Sequence, residues 1–441
     1  MSFPTQRMDP ESVAAALEAM RDDDVDWRHG RAWSLVYSAG PEHDAVIADA
    51  HRRYASENGL SPTAFPSLAR MEREVVHALL DLLGGDPERS GGTMASGGTE
   101  SIILAVKAHR DASGVDRPSM VVPSTAHPAF AKAGHLLGVE TVIVPVESDL
   151  MADVDAMAEA INARTILLAA SAPCFPYGLV DPIPALGVVA LERGIGLHID
   201  ACLGGVMLPV LASLGHDVPP FDLSVPGVTS LTADLHKYGY GPKGSSTILY
   251  ADRRLRRAQL TAHIGWPGGA LASPTLLGTR PGGATAGAWA AIHHLGLEGY
   301  QELFRTVAAT AGALRQGIEA IGDLAVVGDP PGPVFAFGSA TRDIFAVADA
   351  MEARGWRMDR QVDPDCLHLI VNPVHTNVVE PFLADLAASY HAAPPRPERR
   401  GEAVVYGVTA HVVDDGDLVG SLLDSVEARY DLRAASMGEA R

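Results

Sequence analysis

The chain has 441 residues, 47% of them hydrophobic, and carries a formal net charge of −20. That length suits one large unit and a smaller one. The charge argues against nucleic-acid partners and against an anionic membrane surface. Three cysteines, Cys174, Cys202 and Cys366, form no CxxC, so neither a disulfide framework nor a metal site is expected. The N-terminus is polar and acidic, unlike a signal peptide. No apolar run reaches the roughly 18 to 20 uncharged residues of a membrane span. A protein of the reducing cytoplasm, with no transmembrane segment, is expected.

Residues 1–60 read as an N-terminal arm with one or two helices. From 61 to 300, short β-rich runs alternate with helical stretches. Strands are expected at Met120–Val122, Thr141–Val146, Thr165–Ala170, Gly196–Asp200, Ser230–Ala233 and Ser246–Tyr250. Helices are expected at Thr99–Asp111, Pro128–Leu137, Val154–Asn162, Ile183–Arg193 and Thr285–Leu295. Such alternation predicts an α/β fold, with a mostly parallel central sheet flanked by helices. Ligands of such sheets bind beyond the carboxyl ends of the strands. Residues 301–441 read as a smaller C-terminal α+β unit. It holds a long helical stretch to Ile321, strands near Val334–Gly338 and Leu367–Val371, and helices near Ile344–Arg354 and Val379–Tyr390. Pro394-Pro395-Arg396-Pro397 marks a linker to a last mobile segment.

The 34 basic residues include only four lysines, at 107, 132, 237 and 243, which leaves 30 arginines. Arginine replaces lysine as a charge but not as an amine, because its guanidinium stays protonated. Lysines kept in such a background are candidates for amine chemistry. Lys237 and Lys243 share the run Leu235-His236-Lys237-Tyr238-Gly239-Tyr240-Gly241-Pro242-Lys243-Gly244. Lys107 and Lys132 lie in apparent helices as ordinary solvated charges.

Ser96-Gly97-Gly98-Thr99-Glu100-Ser101 leads into a helix. The glycines let the backbone approach a ligand, and the helix start offers free N–H groups and a positive dipole end. That describes a phosphate cradle; a capped helix after a glycine turn is the plainer alternative. His198 and Asp200 close a strand on one face, before Gly204 and Gly205. An Asp there is placed to pair with a buried ring nitrogen. His127, in Ser124-Thr125-Ala126-His127-Pro128, is able to stack on a planar ligand, although a lone His is more often structural. A cradle, a stacking His, an acid for a ring nitrogen and a Lys after a strand are together the parts of a pyridoxal phosphate site. Their order along the chain matches fold type I of these enzymes.

The chain resembles the sphingosine-1-phosphate lyase branch of the group II pyridoxal-phosphate decarboxylase family. The likeness rests on Thr93–Ile102, on His198–Gly205, on Ala233-Asp234-Leu235-His236-Lys237 through Ser246, and on Ala272-Ser273-Pro274-Thr275 with Gly278–Gly283. Weaker likeness runs from about Ser34 to Tyr430. The resemblance implies that Lys237 forms the Schiff base to the cofactor and that His236 holds its phosphate with Gly98 and Thr99. It further implies that His127 stacks on the ring, that Asp200 pairs with the ring nitrogen, and that Lys243 is a second catalytically important lysine. Arg280, Gly282 and Gly283 would lie at the interface of a homodimer whose partner completes the site. The implied reaction is retro-aldol cleavage of a phosphorylated long-chain amine to a fatty aldehyde and ethanolamine phosphate. An amino-acid decarboxylase, or a lyase on another 3-hydroxy amine, is the alternative; a silent cofactor-binding protein is a third. Lys237, partly buried near a second cation, is expected to have a lowered pKa.

Three runs depart from the branch's pattern. Asn58-Gly59-Leu60-Ser61 stands for Asn-Pro-Leu-His, and Phe175-Pro176-Tyr177-Gly178 for Phe-Pro-His-Gly. Trp266-Pro267-Gly268-Gly269 stands for Trp-Gln-Gly-Gly. All three fall where a substrate is contacted, and Tyr177 is left to donate one hydrogen bond there.

Overall fold

The computed structural model describes residues 3–397, two strands at Glu402–Val405 and Val408–Asp414, and the positions 420, 423, 426 and 427. The last segment, expected to be mobile, lies largely outside the described residues.

Seven strands build the central sheet: β1 (Gly91–Ala95), β2 (Ser119–Pro123), β3 (Glu140–Val144), β4 (Thr165–Ser171), β5 (Gly196–Asp200), β6 (Val228–Ala233) and β7 (Ser246–Tyr250). Their order is β1-β7-β6-β5-β4-β2-β3. The run from β3 to β6 is parallel, while β7 is antiparallel to β6 and to β1. Parallel strands need crossovers, and helices supply them here. Before and within the sheet run α1 (Pro10–Ala19), α2 (Pro41–Arg53), α3 (Pro66–Leu82), α4 (Gly98–Ser113), α5 (Ala129–Leu137), α6 (Val154–Ala160), α7 (Ile183–Arg193) and α8 (Gly204–Ser213). Helices on both faces bury the middle strands completely, so β4 and β5 are buried along their whole lengths. Leu197 and Ile199 face one core cluster. His198, on the opposite face, meets the ring of Phe130 edge-on at 5.8 Å.

All six expected strands are present. β1 was not expected, because Gly91-Gly92 reads as a turn; it pairs at the edge through β7. Nor was α8, whose sequence opens on two glycines and contains Pro209.

After β7 come α9 (Arg253–Gln259) and a short hairpin, β8 (Thr261–His263) with β9 (Leu271–Ser273). Helix α10 (Gly282–Glu319) then runs past residue 300 without a loop, broken only at Gly296, where φ is 55°. A second, antiparallel sheet follows, with β10 (Leu324–Val326), β11 (Val334–Ser339), β12 (Asp359–Gln361) and β13 (Cys366–Ile370) in the order β10-β11-β13-β12. Helices α11 (Ile344–Glu352) and α12 (Val379–Ala392) belong to this part.

The N-terminal arm is not a free appendage. Trp33 donates its N–H to Arg357 O at 3.1 Å and accepts from Ile370 N–H at 2.7 Å. Its indole is fully buried and stacks on His375 at 4.1 Å. Residues 31–37 are thereby fastened to the small sheet and carried back toward the large one.

Candidate active site

Strands β5 and β6 are parallel neighbours, so their carboxyl ends open on one edge of the sheet. Asp200 closes β5. Its Oδ1 accepts from Cys202 N–H at 3.0 Å and from the Thr232 hydroxyl at 3.3 Å. Burial works against its charge, but His127, Lys237 and the bonds from Cys202 outweigh burial and hold the carboxyl below its ordinary range. Asp200 is therefore a buried carboxylate that stays ionised.

Beyond β6 the chain folds into a tight loop. His236 N–H donates to Ser245 O at 3.0 Å, and Gly241 N–H to Leu235 O at 2.7 Å. Tyr240 adopts the left-handed conformation, with φ of 53°. Lys237 Nζ lies 3.1 Å from Asp234 Oδ2. The expectation of a lowered pKa for Lys237 is overturned. Burial alone would lower it, but Asp234 first, with help from Asp200, holds the ammonium well above its usual range. The lowered amine is Lys243. Protein atoms crowd it although it still touches solvent, and Lys237 repels it. Together they bring it down to about 8 against the opposing pull of Asp234. Lys243 Nζ donates to Leu35 O at 2.9 Å and to His236 O at 3.4 Å, and lies 5.2 Å from the centre of the Tyr37 ring.

His127 follows β2. Its Nδ1 accepts from Ala129 N–H at 3.1 Å, which leaves the proton of the neutral ring on Nε2. Burial pushes its pKa down and Lys237 adds to this, while Asp200 and Asp234 oppose it. His236 is likewise held neutral by burial, with Nε2 3.5 Å from Asp234 Oδ2.

The start of α4 closes the cluster. No side chain caps it. A Cβ at Gly97 would lie 3.7 Å from His236 Cε1. A Cβ at Gly98 would lie 2.6 Å from Cys202 Sγ and 2.8 Å from Asp234 Oδ2, so only glycine lets the helix start this close. Thr99 follows in the first turn. The structure thus brings Gly97, Gly98, Thr99, His127, Asp200, His236, Lys237 and Lys243 to one place.

Four of the expected site residues have other partners within this chain. The Ser96 hydroxyl donates to Glu100 Oε2 at 2.6 Å, so its only proton is committed to the helix start. Glu100 Oε1 in turn accepts from Leu276 N–H at 2.8 Å. Gly282 and Gly283 serve packing within the chain: a Cβ on Gly282 would lie 2.7 Å from Glu57 O, and one on Gly283 2.8 Å from His51 O. Arg280 beside them pairs with Glu72 at 2.9 Å and donates to Gly59 O at 2.8 Å. Tyr177 does not join the cluster. Its hydroxyl donates to Asp363 O at 2.7 Å, and its ring packs with Cys174, Leu179, Ala336 and Cys366.

Asp234, Tyr37 and Leu35 were missed. Asp234 stood inside the quoted motif three residues before Lys237, and that spacing was its only signal. Tyr37 and Leu35 arrive through the tertiary fold and had none.

The arrangement suits pyridoxal phosphate. An uncapped helix start beside a buried imidazole accommodates its phosphate. A buried, ionised carboxylate matches a protonated ring nitrogen, and an amine stands beyond the sheet edge for its aldehyde. The fold is that of fold type I pyridoxal-phosphate enzymes. The Lactobacillus brevis glutamate decarboxylase structure, at 18% identity, superposes with a TM-score of 0.77 over 89% of this chain and 94% of its own. The pyridoxal-dependent decarboxylase conserved domain matches residues 25–338. A sphingosine-1-phosphate lyase from Oryza sativa is 42% identical over 425 residues, 93% of this chain and 79% of the rice protein. The structure of a Burkholderia pseudomallei sphingosine-1-phosphate lyase shares 39% identity and a TM-score of 0.86, over 89% of this chain and 93% of that one. The chain belongs to the pyridoxal-dependent decarboxylase family, within its sphingosine-1-phosphate lyase branch, and its cofactor is pyridoxal phosphate.

Proposed function

We propose that this protein is a carbon–carbon lyase that cleaves a phosphorylated long-chain 2-amino-3-hydroxy base, such as sphingosine 1-phosphate, to a fatty aldehyde and ethanolamine phosphate. The observation that carries this reading is one loop with two amines of opposite character: Lys237 held charged by Asp234, and Lys243 lowered to about 8. A decarboxylation breaks the bond to a carboxylate. A retro-aldol cleavage must also remove a proton from a hydroxyl, which calls for a second proton-exchanging group.

In this reading Lys237 Nζ carries the cofactor. Gly97, Gly98, Thr99 and His236 hold its phosphate, the neutral His127 ring covers its face, and Asp200 pairs with its ring nitrogen. Pyridoxal phosphate, when bound, supplies an electron sink for the bond that breaks. Lys243 Nζ takes the proton of the substrate's 3-hydroxyl and is placed to return one. Asp234 keeps the Lys237 ammonium in place before the cofactor arrives. We further assign the protein to the cytoplasm, as a homodimer with shared sites, and retain the division into arm (1–60), large unit (61–300) and small unit (301–441).

A second reading, a decarboxylase or a lyase on another 3-hydroxy amine, draws on one observation. Ser61 and Tyr177 stand where the branch carries His, and the Tyr177 hydroxyl is already committed to Asp363. A comparison of substrates with the cofactor-loaded protein separates the two. Sphingosine 1-phosphate should be consumed, and unphosphorylated sphingosine and L-aspartate left intact. Turnover of L-aspartate alone would establish the second reading.

A further inference from the structure

Leu35 has φ of 69°, a conformation that a leucine rarely adopts. Val36 donates its N–H across it to Ser34 O at 2.8 Å. Together these define the positive-φ form of the γ-turn, the rarer and more strained one. Side-chain burial does not account for the turn, because Leu35 is 50% exposed. The flanks are pinned instead. On one side Trp33 is held by its backbone bonds to Arg357 O and from Ile370 N–H, and on the other Val36 O accepts from Asn372 Nδ2 at 3.2 Å. What the turn delivers is the Leu35 carbonyl, which accepts from Lys243 Nζ at 2.9 Å.

Strain that neighbours hold in place tends to mark a working position. We propose that Leu35 is a positioning residue: its strained turn aims a backbone carbonyl at Lys243 Nζ and fixes that amine beside Lys237. This rests on the reading of Lys243 as the proton-exchanging amine. The small sheet, which pins the turn, thereby governs a group on the loop of the large sheet.

The charged and titratable groups facing Lys243 are Lys237, Asp234 and His236 on its own loop, and Tyr37 from the arm. A carbonyl oxygen favours ammonium over amine. Losing the Leu35 carbonyl therefore destabilises the charged form, and Lys243 gives up its proton at lower pH.

The test compares Leu35→Gly with Leu35→Pro. Glycine adopts positive φ freely, whereas proline is locked near −65° and cannot. The cofactor-loaded full chain is treated with acetic anhydride across a pH series. Acetylation of Lys243 is read by peptide mass spectrometry against Lys132 as reference, and kcat/KM is measured over the same series. Leu35→Gly should superpose on wild type. Leu35→Pro should move the half-point of Lys243 labelling about one pH unit lower, with the acid limb of kcat/KM following it. A folded Leu35→Pro protein with the wild-type curve would overturn the proposal. So would a Leu35→Gly protein shifted as far as Leu35→Pro. If Leu35→Pro does not fold, Leu35→Val carries the same test, since β-branching disfavours positive φ. The labelling curve needs no turnover, so a wrong substrate assignment leaves it readable.

Discussion

At the residue scale, the two loop lysines are separable by experiment. Lys237→Ala should lose both turnover and the visible absorbance of the bound cofactor. Lys243→Arg should keep that absorbance, because it leaves the carrying amine intact. Its kcat should fall by roughly 10² to 10⁴, the usual worth of a general acid–base group, since a guanidinium does not exchange its proton. In the wild type, the free amine of Lys243 appears as pH rises through about 8, so kcat/KM should climb there. That limb should be missing from the residual activity of Lys243→Arg. That Lys237, Lys243, Asp200 and His127 come together was legible in the sequence, the lysines and Asp200 from their short motifs and His127 only in combination with them. Their electrostatics were not. Lys237 was expected to be lowered, and the reversal comes from Asp234, brought to 3.1 Å by the fold of the loop. Tyr37 and Leu35 reach Lys243 from about 200 positions away, through an arm that carries no motif of its own.

At the element scale, the start of α4 is the most constrained feature. A methyl group at Gly98 has no room between Cys202 and Asp234. Gly98→Ala should weaken cofactor binding by about tenfold or more, the equivalent of about 1.4 kcal/mol. Titration of the apoprotein with pyridoxal phosphate, followed by absorbance, reads this; unchanged affinity would remove α4 from the cofactor site. The strands were legible because buried parallel strands read as β-branched runs between turn residues. Among the elements that escaped, β1 and α8 open on paired glycines, which read as turns. The expected limit of the large unit at residue 300 falls within α10, which bends once, at Gly296.

At the scale of the whole molecule, the net charge of −20 repels an anionic substrate before the local lysines act. Salt should therefore help. Between about 10 and 150 mM the Debye length falls from roughly 30 to 8 Å, and kcat/KM for a phosphorylated substrate should rise over that range. A fall would mean that local basic groups dominate the approach. Acid stability follows from four buried imidazoles. Burial pushes His109, His368 and His375 down to about 4 and His198 to about 3. Between those values and the ordinary 6.5, the unfolded chain binds protons that the folded chain does not, so stability is lost as pH falls through that window. Asp181, raised to about 6 by burial, and Asp359, also raised by burial, act in the opposite sense, but they are two groups against four. The melting temperature should therefore drop from pH 6.5 to 4. The layered α/β plan was legible from the alternation of elements. The fastening of the arm to the small sheet was not, because it rests on backbone bonds from Trp33 to partners more than 300 residues away.

The most direct measurement is a product balance on the cofactor-loaded protein with sphingosine 1-phosphate. Carbon–carbon cleavage at this site predicts long-chain aldehyde and ethanolamine phosphate in equal amounts, with both absent from Lys237→Ala. Neither product, from a protein that still shows its cofactor absorbance, would contradict the lyase assignment and leave the cofactor site serving another amine.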